Sequence, residues 1–360
     1  MSQVSEATGG AASGADNNAA ATEHGLGDAC RIVAEILAAG SADSAAAPNA
    51  GHGSELDFLD NPALRPLVAS TAPSEVWAVD GGQAYIADAR TIAVVGVRGA
   101  CVRWRDGELL EMPGPIEVVV LGSGAERSWL AERGLSVGAD TAVDIALLRD
   151  WTEWALLARC VEQASPGALV LLDGDLAPDW RVAPERRHEL LDTAARRGVS
   201  VIGVTKHSSL ALGAAPMVGV FEQRAHDVFG ADACWWSEVA VVRREQTSPG
   251  LLESPEDRTA ALLRVCIARL DRLAPFAFRI DVGGAGEPEE VLAALACVSN
   301  DAAFPGYPFP LSVVDAIAAC SGWVRSELWA DVRDGLVARG LDHATINRAF
   351  ADRHHLMERV

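Results

Sequence analysis

Short apolar runs that end on charged or small residues fill the chain between residues 76 and 122. Before any long helical pattern appears, these runs predict strands at 76–80, near 84–88, at 91–98, at 100–105 and at 117–122. Because no long helical pattern separates these runs, we expect an antiparallel group of strands at the start of the folded body.

From residue 144 onward the pattern changes to alternating helices and strands. Apolar positions at helical spacing predict helices at 144–163 and 184–197, and continuous apolar runs predict strands at 168–173 and 199–204. Gly198 follows the second helix, where glycine commonly ends helices. This order predicts an α/β fold with a ribonuclease H-like mixed β-sheet flanked by helices.

The chain after residue 206 predicts C-terminal α/β additions to this sheet. Apolar segments lie at 217–222, 234–242 and 276–282. Helical patterns lie near 255–273, 287–299, 311–320 and 326–338. A doubly wound Rossmann domain is disfavoured, because Asp80-Gly81-Gly82-Gln83-Ala84 lacks the glycine-rich phosphate motif that follows the first strand of that fold.

The first 54 residues differ in composition from the rest of the chain. Residues 1–24 are mostly small and polar, which predicts a disordered tail. Residues 25–54 predict one helix followed by a small-residue linker. We therefore expect one folded domain at 55–360.

Charge and cysteine content narrow the class of protein. Of 360 residues, 30 are basic and 50 are acidic, and the net charge of −20 argues against a broad, sequence-blind basic surface. The net charge is still compatible with a local groove lined by arginines. The acidic excess also suggests the hypothesis that the protein works in a high-salt cytoplasm. The seven cysteines include no CxxC pair, and no run of eighteen apolar residues occurs, so we expect a reduced cytoplasmic protein.

Two predicted buried strands end on an aspartate that glycine follows. These are Asp80, before Gly81-Gly82, and Asp173, before Gly174. A carboxylate at such a position is costly unless a cation, a proton or a hydrogen-bond donor compensates it. In a ribonuclease H-like sheet the first and fourth strands are neighbours, so the two carboxylates are expected to converge on a shared cation.

Glu153, on the helix before the Asp173 strand, is the natural third carboxylate. A two-metal site needs several oxygen ligands to hold divalent ions about 3.5 to 4 Å apart. The alternative is that Glu153 pairs with Arg149 one helical turn earlier.

Two further residues are candidates for chemistry. Lys206, the only lysine, follows directly on a strand and is a candidate phosphate-binding point charge, although one lysine must fall somewhere by chance. Tyr307 lies in a proline-rich loop at 304–311, ahead of a helix that carries Asp315, and prolines pre-shape such loops. The alternative for that loop is a packed connector.

Arginines interleaved with tryptophan are candidates for a groove that binds single strands, because bases stack on aromatic rings. Ordinary surface arginines are the alternative. The candidates are Arg98, Arg103, Arg105, Arg181, Arg186, Arg187, Arg196 and Arg197, with Trp104 and Trp180 among them.

Together these features resemble the NurA family of DNA nucleases. The resemblance spans residues 76 to about 316 and includes 78–82, Glu153, 171–176, 203–206, 278–281 and 306–311. It implies a ribonuclease H-like nuclease that cleaves single-stranded DNA and degrades DNA from 5′ to 3′ with manganese, with magnesium as the alternative metal. It also implies a homodimer that acts in DNA end resection and repair with the hexameric ATPase HerA.

Carried over by residue, the resemblance makes Asp80, Glu153 and Asp173 metal carboxylates and Tyr307 an active-site tyrosine. Asp315 stands where the family usually has histidine, so it either ligates metal through oxygen or has lost that role. Asp175 stands where the family usually has a small residue. The open alternatives are a non-catalytic NurA-like subunit docked on a motor ATPase and an ATPase of the actin and sugar-kinase type.

Overall fold

The structure is a computed structural model, which describes most of the chain. The described residues are 28–38, 47–49, 55–135, 137–138, 140–177, 184–243 and 261–351. The predicted tail at 1–24 lies outside them, and the predicted domain boundaries stay a prediction. Two compact units are distinguished, one made of 1–51 with 209–224 and the other of 52–208 with 225–360.

Strands occur throughout the described residues. They are β1 (Pro48–Asn49), β2 (Asp57–Phe58), β3 (Arg65–Pro66), β4 (Glu75–Asp88), β5 (Ala93–Arg105), β6 (Glu108–Pro113), β7 (Glu117–Leu121), β8 (Leu169–Asp173), β9 (Ser200–Thr205), β10 (Ala211–Leu212), β11 (Ala215–Pro216), β12 (Trp235–Arg243), β13 (Ala261–Arg269) and β14 (Phe278–Gly284). In the smaller unit, β1, β10 and β11 form a short antiparallel sheet.

Helices cover the sheet of the larger unit and also occur in the smaller one. They are α1 (28–38), α2 (Ala125–Glu132), α3 (Ile145–Gln163), α4 (Pro184–Arg197), α5 (Met217–Phe229), α6 (Pro288–Ala296), α7 (Phe309–Ala318), α8 (Gly322–Ala338) and α9 (His343–Phe350). In the described part of the chain, no helix combines the length and the apolar character needed to cross a membrane.

One mixed sheet forms the centre of the larger unit. Its strand order is β2-β12-β13-β14-β9-β8-β4-β5-β6, with β3 also paired to β12 and β7 to β5. β4, β8 and β9 are parallel to one another, whereas the other pairs are antiparallel. The predicted α/β fold class, a ribonuclease H-like mixed sheet flanked by helices, is confirmed.

The side-chain alternation of β4 divides the core into two layers. Trp77 and Val79 pack with residues of α3 and α4, whereas Val76 and Ala78 pack with residues of α6 and α7. Strand β8 is buried on both faces, as a central parallel strand should be, which explains its continuous apolar sequence. By the same alternation, Asp80 belongs to the face that α7 covers.

Three predictions about the elements need correction. The predicted strands at 91–98 and 100–105 form one strand, β5. The predicted segments at 76–80 and 84–88 form one strand, β4, because Gly81 and Gly82 stay extended and pair with Gly99 and Arg98. Asp80 is therefore inside a strand, not at its end.

The helical pattern near 255–273 is wrong over 261–269, where the chain forms β13. This strand lies between β12 and β14, so apolar residues suit both of its faces and also match helical spacing. Residues 255–260 lie outside the described residues. The helices predicted at 144–163, 184–197, 287–299, 311–320 and 326–338 are confirmed as α3, α4, α6, α7 and α8, with shifts of a few residues at their ends.

Candidate active site

Three carboxylates converge on the α7 face of the sheet. Asp80 of β4, Asp173 of β8 and Asp315 of α7 each place one possible ligand atom within 4.8 Å of the others. The parallel pairing of β4 with β8 ends at Val79 and Leu172, so Asp80 and Asp173 come next on neighbouring strands. We call these three residues the acidic trio.

The glycines after Asp80 admit close neighbours on both faces of the sheet. A Cβ at Gly81 would lie 2.5 Å from Glu153 Oε1. A Cβ at Gly82 would overlap the carbonyl oxygen of Ala318, at the end of α7. Both glycines lie inside the extended strand β4, where they permit this close packing.

Asp80 is buried among like charges. Its side chain accepts a hydrogen bond of 2.7 Å from the Gly81 amide. Burial, and after it the negative charges of Asp173 and Asp315, raise the pKa of Asp80 to about 6, against the opposing effects of that amide and of Lys206. A cation shared by the trio would remove this cost of ionisation.

Lys206 lies directly after β9 and reaches the acidic trio. Its Nζ donates a 2.6 Å hydrogen bond to Asp173 Oδ2 and lies 3.5 Å from Asp315 Oδ1. Partial burial lowers the pKa of Lys206, but the hydrogen bond and the charge of Asp173 outweigh it, so the net pKa lies above its ordinary value. The structure therefore brings the only lysine of the chain into the site.

Glu153 lies beside the trio but is not a member of it. It belongs to α3, which covers the opposite face of the sheet from α7, and it reaches the strand through the space above Gly81. Its Oε1 lies 3.2 Å from Arg149 Nε, so the predicted alternative, an ion pair one turn apart, is present. Burial raises the pKa of Glu153 well above its ordinary value, Arg149 opposes this, and the charges of Asp150 and Asp80 add to it. Its role as a metal ligand stays a prediction.

Tyr307 is buried between the trio and an aromatic cluster. Its ring centroid lies 5.5 Å from that of Phe278, and Lys206 Nζ lies 5.1 Å from the Tyr307 centroid. Burial and then the negative charge of Asp173 raise the pKa of Tyr307 above its ordinary value. The phenol is therefore protonated at neutral pH, and its hydroxyl interacts with the Asp173 carboxylate.

A buried ion network that sequence reasoning missed lies next to the site. Arg279 of β14 donates from Nε to Asp281 Oδ1 at 2.8 Å and from Nη1 to Asp175 Oδ2 at 2.9 Å. Thr205 Oγ1 also donates to Asp175, at 2.8 Å, and the Leu176 amide donates to Asp281 at 2.9 Å. The network ties the loop after β8 to β9 and β14, and it gives Asp175 partners outside the acidic trio.

A charged pair two residues apart in an apolar strand was the available signal for this network. In Phe278-Arg279-Ile280-Asp281, the arginine and the aspartate share one face. An isolated charge in such a strand would be costly, so this pattern indicates that both charges are paired.

The arginines predicted to line a groove make contacts within the protein. Arg98 donates to the Ile317 carbonyl at 2.9 Å, and Arg197 donates to the carbonyls of Val161 and Ala164. Arg103 lies 5.5 Å from the Trp77 ring centroid, Arg186 lies 4.0 Å from that of Trp151, and Arg187 pairs with Glu55. Arg181 and Trp180 lie outside the described residues.

Trp104, the other predicted stacking residue, is used for packing. Its half-buried ring meets Phe309 of α7 edge-on, with centroids 6.0 Å apart and an interplanar angle of 88°. These contacts help to seat α7 on the sheet.

Comparison with known proteins gives a structural likeness only. No family model matches the chain, and no curated protein matches it. Among solved structures, the NurA nuclease from Sulfolobus solfataricus is similar over 78% of this chain and 89% of that one, with 16% identity and a TM-score of 0.50. Human endonuclease V is similar over 70% of this chain and 89% of that one, with 13% identity and a TM-score of 0.31. The likeness to NurA shows a NurA-like fold.

Proposed function

We propose that this protein is a metal-dependent DNA nuclease. The observation that carries the proposal is the acidic trio, in which Asp80, Asp173 and Asp315 present carboxylates within 4.8 Å of one another. These acids lie next to a lysine and a protonated tyrosine, on a ribonuclease H-like sheet similar to that of a NurA nuclease.

The donor set fits a hard divalent cation. Carboxylate oxygens suit manganese and magnesium, and the trio offers no sulfur or imidazole ligand. The raised pKa of Asp80 indicates that its charge lacks sufficient compensation from the protein. We propose that the trio holds the metal, with Mn²⁺ as the working ion, and that Glu153 supports a second ion. Two bound ions would stabilise the attacking and leaving oxygens of a phosphodiester.

Lys206 and Tyr307 would act on the substrate phosphate. An ammonium next to two carboxylates can turn to a non-bridging phosphate oxygen while it stays close to Asp173. The Tyr307 hydroxyl, which stays protonated, can donate a hydrogen bond to the same phosphate group. In this proposal both side chains position the phosphate, and neither acts as a general base.

The finer assignment follows the NurA resemblance. We propose a single-strand endonuclease and 5′ to 3′ exonuclease that acts as a cytoplasmic homodimer with a HerA-type hexameric ATPase in DNA end resection and repair. The ordered motifs between residues 76 and 316 and the NurA-like fold support it.

A non-catalytic NurA-like subunit is the main alternative. Asp315, in place of the usual histidine, was the sequence feature behind this alternative. Its position within the trio favours the catalytic proposal, because it adds an oxygen ligand where one is needed. An ATPase of the actin and sugar-kinase type needs a second duplicated domain, and the described residues contain one large sheet and one of three short strands.

The test is a cleavage assay with a matched inactive protein. Purified wild type and Asp80→Asn are incubated with end-labelled single- and double-stranded DNA, with manganese, magnesium or EDTA, at low and high salt. We expect cleavage of single strands by the wild type with manganese, and none in EDTA or with Asp80→Asn. Equal cleavage by the two proteins would indicate a contaminant, and no cleavage by either would favour the non-catalytic alternative.

A further inference from the structure

A cavity of about 540 Å³ opens beside the acidic trio. It shares Lys206, Tyr307 and Asp315 with the candidate active site, and three phenylalanines and two prolines form much of its remaining wall. Its volume lies within the range of about 300 to 1,000 Å³ typical of ligand sites. One end of the cavity is therefore charged and the other is apolar and aromatic.

The aromatic rings form a continuous row that leads to the charged end. Phe276 meets Phe278 with centroids 5.2 Å apart, and Phe278 meets Tyr307 with centroids 5.5 Å apart. Lys206 Nζ then lies 5.1 Å from the Tyr307 centroid. A molecule with a flat apolar part and an anionic part can contact both ends at once.

The outer rings are exposed but held in place. Phe276 and Phe304 line the same cavity and are 52% and 59% exposed. Together they leave apolar surface in contact with water, which is unfavourable unless a partner covers it. The loop that carries Phe304 is fixed by the hydrogen bond from the Gly306 amide to the Ser299 carbonyl, at 2.7 Å. Gly306, with a φ of +86°, packs against Ala274 so closely that a Cβ would lie 2.5 Å from the Ala274 Cβ. The rings are thus pre-positioned for a partner.

We propose that this cavity binds one unpaired nucleobase of the DNA strand whose phosphate lies at the acidic trio. The proposal rests on the proposed nuclease function and deepens it. Base faces stack on aromatic rings irrespective of sequence, and a base can enter the cavity only when it is not paired. The cavity therefore selects single strands at the active site.

The charge of the chain favours this occupant. With a net charge of −20, the protein attracts the DNA backbone weakly, so stacking has to supply much of the affinity. An apolar face of a second protein copy would bury Lys206 and Asp315 at the charged end of the cavity, whereas a nucleotide places its phosphate there. A nucleotide matches both ends of the cavity, because its base is flat and its phosphate is anionic.

The test measures binding without cleavage. Full-length wild type, Phe276→Ala and Phe304→Ala are titrated against a fluorescent oligothymidine with calcium in place of manganese, and the dissociation constant is read from anisotropy. We expect each variant to bind on the order of tenfold more weakly, as loss of one stacked base predicts. Leu273→Ala is the matched control, because Leu273 is 68% exposed on the same connection as Phe276 but does not line the cavity. The affinity of this variant for the oligonucleotide should equal that of the wild type.

An abasic nucleotide, moved one position at a time along the oligonucleotide, identifies the base itself. For the wild type, one position should cost about as much affinity as Phe304→Ala, and in that variant the same position should cost little more. Unchanged affinity in both phenylalanine variants, equal losses at every abasic position, or no binding by the wild type would overturn the proposal. So would a change of oligomeric state in the variants by analytical ultracentrifugation, since the cavity would then be a protein interface.

The two proposals fail separately. If the stacking results are negative but manganese-dependent cleavage is lost in Asp80→Asn, only the base cavity is refuted. If the stacking results are as expected but no metal supports cleavage, the cavity binds DNA and the nuclease function is refuted.

Discussion

Lys206 and Asp173 form a hydrogen-bonded ion pair of 2.6 Å at the edge of the acidic trio. The lysine side chain is 42% exposed and the aspartate side chain 12%, so the ammonium is accessible to solvent whereas the carboxylate is largely buried. A divalent cation bound to Asp173 would compete with the ammonium for the same oxygens. If the proposed metal site exists, release of Lys206 toward a substrate phosphate would therefore be coupled to its occupation.

Lys206→Arg should impair cleavage although it keeps the charge. The planar guanidinium has a broad fork and cannot replace a compact ammonium between two carboxylates. The measurement is the single-turnover cleavage rate with saturating manganese. Lys206→Met serves as a second variant, which should bind manganese more tightly by calorimetry because the competing cation is gone. Equal cleavage rates for wild type and Lys206→Arg would show that cleavage does not depend on the compact ammonium of Lys206.

Asp80→Asn should stabilise the metal-free protein at neutral pH. The folded-state pKa of about 6 lies above the ordinary value of 3.8, so the folded state binds the proton more tightly than the unfolded state. That contribution to stability is fully present below pH 3.8 and is lost as the pH rises through 6. At pH 7.5 the variant should therefore gain about 3 kcal/mol, an order-of-magnitude figure, and nothing below pH 3.8.

Urea unfolding in EDTA between pH 3.5 and 8 measures this gain. Added manganese should stabilise the wild type and not the variant, because only the wild type keeps the full trio. A variant that is less stable than the wild type at pH 7.5 in EDTA would show that Asp80 is compensated by something other than a metal.

Glu153→Gln should lower cleavage by orders of magnitude and weaken the apparent affinity for manganese. Glutamine keeps the shape, and since burial already raises the pKa of Glu153, loss of the charge should leave the melting temperature level or raise it. Glu162→Gln, at an exposed position of the same helix, is the control and should change neither property. A lower melting temperature with normal turnover would assign Glu153 to a structural pairing with Arg149.

Arg279→Met should destabilise the fold by about 3 to 5 kcal/mol, because it leaves the buried Asp281 and the partly buried Asp175 without their cation. Arg264→Met, on the neighbouring strand, removes a partly exposed pair with Glu238 and should cost less than about 1 kcal/mol. Urea unfolding of both variants at neutral pH gives the comparison. Similar losses of unfolding free energy in the two variants would mean that the Arg279 network stabilises the fold no more than the partly exposed pair does.

Single-strand binding should depend only weakly on salt, and cleavage with manganese should persist at molar salt. Among the described residues, Arg98, Arg187 and Arg197 are held by protein partners, so we expect few cations to contact DNA phosphates and release counterions. Anisotropy titrations from low to molar salt give the slope. A decline as steep as that of a basic DNA-binding protein would contradict this account of the acidic surface.

The sequence predicted the meeting of Asp80 and Asp173 because strand order alone places their strands side by side. It did not predict the position of Glu153, which depends on the face that Gly81 presents to α3. The helix predicted over β13 was wrong because a strand that is buried on both faces carries apolar residues at most positions. Such a sequence matches helical spacing as well as strand spacing. The rings of Phe276 and Phe304 lie in connections, where no periodicity signals a shared cavity.

The absence of a side chain at Gly82 determines how closely α7 approaches strand β4. There the strand meets the carbonyl oxygen of Ala318 with no side chain between them, so rotamer changes cannot absorb an added atom. Any larger residue would act as a spacer under the end of α7 and tilt that helix, which carries Asp315, away from the sheet. The distance across the acidic trio, and with it the size of ion that the proposed metal site would accept, is thus set by backbone thickness at a residue outside the trio.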